Sequence, residues 1–103
     1  MIFIEAPTFE RLRERYLDDD QYRLLQAALM VDPLIGDLIR SSGGIRKVRW
    51  AAHGTGKRGG LRVIYYCFTR RSHVLLLTLY RKSEVSDLKS DEVKALRALV
   101  VSL

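Results

Sequence analysis

A single cysteine, Cys67, occurs among the 103 residues, so no disulfide can close within the chain. The thiol sits inside an apolar strand pattern and reads as core, and a reducing cytoplasm is the expected compartment. Apolar runs such as residues 74–77 are short, which excludes a membrane-spanning helix. The opening MIFIEA carries neither a basic leader nor a cleavage site and does not read as a signal peptide. No repeat, linker or low-complexity tract breaks the chain. The two histidines, His53 and His73, are far apart and lack companion Cys/His spacing, so no metal site is expected. The most informative scarcity is of carboxylates: residues 44–82 contain none.

What is present fits one domain spanning residues 1–103, since 11.9 kDa is enough for one core and too little for two. A hydrophobic content of 48% argues against disorder. The net charge of +6 is unevenly held. Residues 1–43 carry five basic and eight acidic side chains, residues 44–82 ten basic and no acidic ones, and residues 83–103 three and four. Scattered lysines would serve solubility, but ten cations without an interspersed acid repel one another unless an anion binds them. Nucleic acid is the expected partner, and no membrane is implied.

Apolar spacing sets the elements. Residues 2–5 alternate weakly as a short strand. Thr8 is the expected N-cap of a first helix, with Phe9, Leu12 and Tyr16 on one face. Asp18, Asp19 and Asp20 favour the start of a second helix through its dipole; Tyr22, Leu25 and Leu29 form its stripe. Pro33 ends it, because the residue before proline is steered from helical geometry. Residues 45–52, 61–68 and 73–80 are rich in β-branched and aromatic side chains and read as three strands joined by glycine-rich or basic turns. Ser90 is the expected N-cap of a last helix, with Val93, Leu96 and Val100 facing inward. The order β-α-α-β-β-β-α predicts an α+β domain with helices packed on an antiparallel sheet.

Residues two apart on a strand share a face, so Lys47 and Arg49 project together. Arg62 is the one charge on an otherwise apolar strand, LRVIYYCF. Antiparallel pairing brings the start of that strand beside the end of the next, near Tyr80, Arg81 and Lys82. Lys57 and Arg58 lie on the loop between the first two strands. Such a patch suits a phosphodiester, because guanidinium groups bind phosphate oxygens bidentately. A lysine among cations can have its pKa lowered and then act as a base, while arginine can stabilise a pentavalent phosphorane. RNA carries its own nucleophile, the 2′-hydroxyl, so positioning and electrostatics suffice without a metal or other cofactor.

Other motifs carry less. The GTGKR stretch lacks the glycine and Ser/Thr of a phosphate loop, at Ala51 and Arg58, and leads into a strand. Tyr65, Tyr66 and Trp50 read as packing residues, and His73 as surface.

The combination GGIRKVRWA, GKRGGLRVIYY and LLLTLYRKSEVSDL resembles the RelE/ParE superfamily of bacterial toxins, and within it the HigB-type branch, over nearly the whole chain. The resemblance implies a RelE-like fold and the toxin of a type II toxin–antitoxin module. It further implies an mRNA interferase that enters the ribosomal A site and cleaves mRNA by 2′-hydroxyl attack on the adjacent phosphate. Lys47, Arg49, Arg62 and Lys82 match the catalytic positions, with Arg46, Lys57, Arg58, Tyr80 and Arg81 as candidate RNA-phosphate ligands. The tail VSDL (residues 85–88) lacks the tyrosine or histidine that some relatives place there, leaving Tyr80 as the substitute. The implied partner is a helix-turn-helix, HigA-like antitoxin, through which alone the toxin meets operator DNA. The alternatives are a ParE-like inhibitor of DNA gyrase and a non-catalytic nucleic-acid-binding module.

Overall fold

Proline and aspartate decide where the helices begin. In the computed structural model, which describes residues 1–51, 60–68, 70, 72–85 and 87–103, strand β1 (Ile2–Glu5) runs into helix α1 (Pro7–Tyr16). Ala6 is the N-cap and Pro7 the first helical residue. The expected cap at Thr8 is thus corrected: the fixed φ of proline suits the first turn and starts the helix ahead of the hydroxyl. Helix α2 (Asp19–Val31) is capped as its acids imply. The Asp18 carboxylate accepts from the Gln21 amide at 2.7 Å, and the Gln21 side-chain oxygen accepts from the Asp18 amide at 3.4 Å, a reciprocal capping box. Asp32, before Pro33, leaves helical geometry at φ −144°.

A two-residue strand, β2 (Asp37–Leu38), comes next, then β3 (Arg46–Trp50), β4 (Leu61–Phe68), β5 (His73–Arg81) and helix α3 (Ser90–Val101). At α3 the cap position belongs to Lys89, whose amide donates to the Glu92 carboxylate at 2.9 Å. Ser90 is already helical, a second correction, because the Glu92 carboxylate takes up the amide of Lys89 one residue earlier and starts the helix there. Residues 52–59, with His53, Lys57 and Arg58, expected to form a loop, lie outside the described residues.

The sheet order is β1-β5-β4-β3-β2. The β2–β3, β3–β4 and β4–β5 pairs are antiparallel, whereas β1 lies parallel to β5, so the sheet is mixed. Period-two alternation sorts the side chains into two cores. Val63, Tyr65, Val74 and Leu76 meet Phe9, Leu17, Leu25 and Leu29 of the α1–α2 layer. Ile64, Leu75 and Leu77 face the other way, toward Val100 of α3 with Leu96 and Leu99. Each fully buried leucine or isoleucine contributes roughly 1.5–3 kcal/mol. His73, expected at the surface, is half-buried opposite Phe68 because it begins a strand paired on both sides.

A β-bulge interrupts the β4–β5 pair midway. Ile64 pairs with Thr78 but Tyr65 with Leu76, so β5 carries one extra residue there. Strict alternation from Leu76 would put Tyr80 on the α1–α2 face. The bulge resets the count and turns Tyr80 to the side of Ile64 and α3.

Candidate active site

Three strands present one row of polar side chains. Arg49 on β3 lies directly opposite Arg62 on β4, and Arg62 lies directly opposite Tyr80 on β5. Lys47 stands two residues before Arg49 on the same face, and Lys82 two residues after Tyr80. The Lys82 amide donates to the Gly60 carbonyl at 3.0 Å, which extends the β4–β5 pairing by a step. Lys47, Arg49, Arg62, Tyr80 and Lys82 line one hollow of about 170 Å³. Arg62 and Tyr80 form its floor, 6% and 7% exposed, while Arg49 and Lys82 stand exposed at its rim.

Like charges placed directly across a sheet repel, so the Arg49–Arg62 pair works against stability. Two carboxylates that the sequence pattern did not single out, Asp37 and Asp87, complete the lining. Asp37 sits on β2 opposite Lys47, and Asp87 approaches the Lys47 ammonium at 3.4 Å. The same Asp87 oxygen accepts from the Leu88 amide at 2.9 Å. That amide, ahead of the neighbouring Lys47 and Lys82 charges, holds the Asp87 carboxyl below its usual range against the opposing effect of burial. Asp87 is therefore an anion at neutral pH and offsets part of the cationic field.

Burial pushes the Tyr80 hydroxyl above its ordinary pKa, with Asp87 and Glu92 adding to the shift and Arg62 opposing it. At neutral pH Tyr80 is thus a neutral donor, suited to a phosphate oxygen rather than to proton abstraction.

Two candidates lie elsewhere. Arg46 is one residue out of phase with Lys47 and Arg49, so it points to the opposite face. Its guanidinium donates to the carbonyls of Leu34 at 3.2 Å and Gly36 at 2.7 Å, fastening the segment before β2. Arg81 also faces away, 5.7 Å from the centroid of the Tyr16 ring, in a cation–π contact. Tyr16 in turn donates to Glu84 at 2.8 Å. Lys57 and Arg58 lie outside the described residues. Among those described, no cluster of His, Cys, Asp or Glu could hold a metal ion, and no helix is long and apolar enough to cross a membrane.

Tyr65 and Cys67 join the packing as expected: the Tyr65 hydroxyl donates to the Pro33 carbonyl at 2.9 Å and accepts from the Gly36 amide at 3.0 Å. Trp50 and Cys67 pack against the α1–α2 core. Tyr66 stacks edge-on with Phe68 at 4.7 Å.

Among the described residues, a mixed five-stranded sheet and three helices make an α+β domain, with a cationic hollow formed by β3, β4 and β5. The chain matches the family described as the RelE toxin of the RelE/RelB toxin–antitoxin system over residues 2–103, and it belongs to that family. Membership implies a cognate antitoxin as partner. Its fold is similar to that of a mutant E. coli toxin RelE in the free state, at a TM-score of 0.58 and 10% identity, covering 97% of this chain and 96% of that one. It is also similar to the conserved hypothetical protein HP0892 from Helicobacter pylori, at a TM-score of 0.53 and 15% identity, covering 82% of this chain and 98% of that one.

Proposed function

We propose that this toxin is a HigB-type, ribosome-dependent mRNA endoribonuclease. The observation that carries the reading is the meeting of Lys47, Arg49, Arg62, Tyr80 and Lys82 in one hollow. The 2′-hydroxyl of the target nucleotide attacks the adjacent phosphorus, forming a 2′-O–P bond as the bond from phosphorus to the 5′-oxygen breaks. The 2′-hydroxyl proton is lost and the departing 5′-oxygen gains one, leaving a 2′,3′-cyclic phosphate and a 5′-hydroxyl.

Each side chain has a role in that sequence. Lys47 and Arg49 draw the scissile phosphate onto the sheet. Arg62, held at the floor by its strand, meets the charge that grows on the phosphorane oxygens, where a preorganised cation in a water-poor setting is most effective. Tyr80 donates to a non-bridging oxygen. Lys82, at the rim beside Tyr80, faces the leaving oxygen. Lys47 exchanges Asp87 for phosphate as RNA arrives, a swap whose cost is small because exposed ion pairs are weak. The ribosome supplies the A-site geometry that orients the 2′-hydroxyl for in-line attack. A HigA-like helix-turn-helix antitoxin covers this surface, and the pair, rather than the toxin alone, meets operator DNA.

Retention of four cations around one hollow favours a nuclease over a gyrase poison, which has no use for them. Inducible expression followed by mapping of mRNA ends tests the proposal. New 5′-hydroxyl ends are expected in the wild type and not in an Arg62→Ala variant; growth arrest with intact mRNA would refute it.

A further inference from the structure

Beside the hollow lies a larger cavity of about 400 Å³, between the turn that follows β2 and the first turns of α3. Arg40 and Ser41 line it from the turn, and Ser90 and Lys94 from the helix. It adjoins the hollow: Lys47 and Asp87, 3.4 Å apart, line both. Three cations therefore face one carboxylate that Lys47 already engages. Among the described residues neither Arg40 nor Lys94 has an ion-pair partner, and both are exposed.

The walls are fixed rather than incidental. The buried Ser42 hydroxyl donates to the Ile39 carbonyl at 2.6 Å and accepts from the Ile45 amide at 3.0 Å, which closes the turn carrying Arg40 and Ser41. Arg97, one helical turn beyond Lys94, donates to the Gly43 carbonyl at 3.1 Å and ties α3 to that same turn. Gly43 has φ +74°, and a Cβ there would stand 2.7 Å from the Arg97 guanidinium. The positive φ calls for glycine there, whereas the Arg97 guanidinium ends a flexible side chain that can move aside.

We propose that this cavity is a second phosphate subsite, which holds the phosphodiester next to the scissile one on the same RNA strand. The inference rests on the nuclease reading of the hollow and assigns Arg40 and Lys94 as RNA-binding residues. Two lone surface cations bind free phosphate poorly. A neighbouring phosphate is different, because seating the scissile linkage on Lys47 presents it at high effective concentration. A cavity of this size accepts a nucleotide-sized group. The shared Lys47 makes the two sites neighbours, as successive phosphates of one strand require, and this adjacency to the cleavage hollow favours RNA over an acidic peptide.

The test is single-turnover cleavage on programmed ribosomes, with mRNAs carrying one neutral methylphosphonate at successive positions flanking the cleaved linkage. For wild-type toxin, one flanking position slows cleavage roughly tenfold, the loss expected for a phosphate held by two cations. For Arg40→Ala/Lys94→Ala, that substitution has no further effect. A charge-matched Arg11→Ala/Arg23→Ala control keeps the wild-type sensitivity, and circular dichroism confirms folding of both variants. If no flanking position matters, if the Arg40/Lys94 variant is as sensitive as wild type, or if the control also loses sensitivity, the subsite is refuted while the nuclease reading stands. If wild-type toxin cleaves none of the mRNAs, including the unmodified one, the nuclease reading itself has failed and the subsite with it.

Discussion

Arg49 and Arg62 are direct cross-strand partners, two guanidinium groups set opposite one another on β3 and β4. A sheet selected for stability alone would not place them so, since like charges at facing positions repel. Arg62 is moreover 6% exposed, and burial penalises a charge. The arrangement suits a site that binds an anion.

Arg62 is placed for chemistry. Arg62→Met keeps much of the side-chain volume and removes the guanidinium, so the variant should remain folded. Cleavage should fall about 10²–10³-fold, the loss typical of removing one preorganised transition-state donor. Thermal unfolding together with single-turnover cleavage checks both halves. A variant that cleaves normally contradicts the assigned role.

Asp87 moderates the hollow. Its pair with Lys47 joins side chains 31% and 68% exposed, so Asp87→Asn should change unfolding free energy by less than about 1 kcal/mol. Affinity for a non-cleavable 2′-O-methyl RNA should instead rise at low salt, and the gain should fade as salt screens it. The carboxyl pKa is depressed, so the pair is intact above the ordinary value of 3.8 and is lost only as pH falls below it. Carboxyl NMR titration should show Asp87 charging below that value; a midpoint above 3.8 contradicts the geometry.

The tyrosines set the alkaline limit. Burial raises the hydroxyl pKa of Tyr16, Tyr22, Tyr65 and Tyr80 above 10.0. Hydrogen bonds to Glu84 and Glu5 add to the effect at Tyr16 and Tyr22. A raised pKa means that the folded state prefers the neutral hydroxyl. Their stabilisation is therefore complete below about pH 10 and lost as pH rises beyond it. Denaturant midpoints against pH should show tyrosine-dependent destabilisation only above that point. A Tyr22→Phe/Tyr65→Phe variant should lose part of the alkaline slope, and an unchanged slope would count against these shifts.

The turn after β2 depends on Gly43. Gly43→Ala meets a positive φ and should cost about 1–3 kcal/mol. The Arg97 guanidinium ends a flexible side chain and can move aside, so Arg97→Ala should rescue little of that loss. Urea unfolding of both variants and the double checks this; full rescue by Arg97→Ala would contradict a backbone origin of the cost.

Much of the fold was legible because its signals are local. The β-branched and aromatic run of β4 has the same bounds in sequence and structure, Leu61–Phe68, and the acids before α2 form its cap. Strand β2 was not legible, since two residues show no period. The parallel β1–β5 pairing joins segments about seventy residues apart and leaves no local mark. The bulge on β5 was hidden too, because VLLLTLY is apolar on nearly every position and masks the change of phase. Among the site residues, the spacing of Lys47 and Arg49 correctly put them on one face, and the same alternation sends Arg46 to the other. Counting positive charge could not separate Arg46 and Arg81 from the rest. Asp37 and Asp87 lie outside the acid-free block, so the contrast that drew attention to the cations drew it away from them.

The central claim is that this hollow cleaves RNA by internal attack of the 2′-hydroxyl. The most direct measurement is product analysis after incubating purified toxin with programmed ribosomes, reading the chemistry of both new ends. A 2′,3′-cyclic phosphate paired with a 5′-hydroxyl, absent when the nucleotide at the cleaved position carries a 2′-O-methyl group, is the predicted result. A 5′-phosphate end, or cleavage that persists on the 2′-O-methylated message, would contradict it.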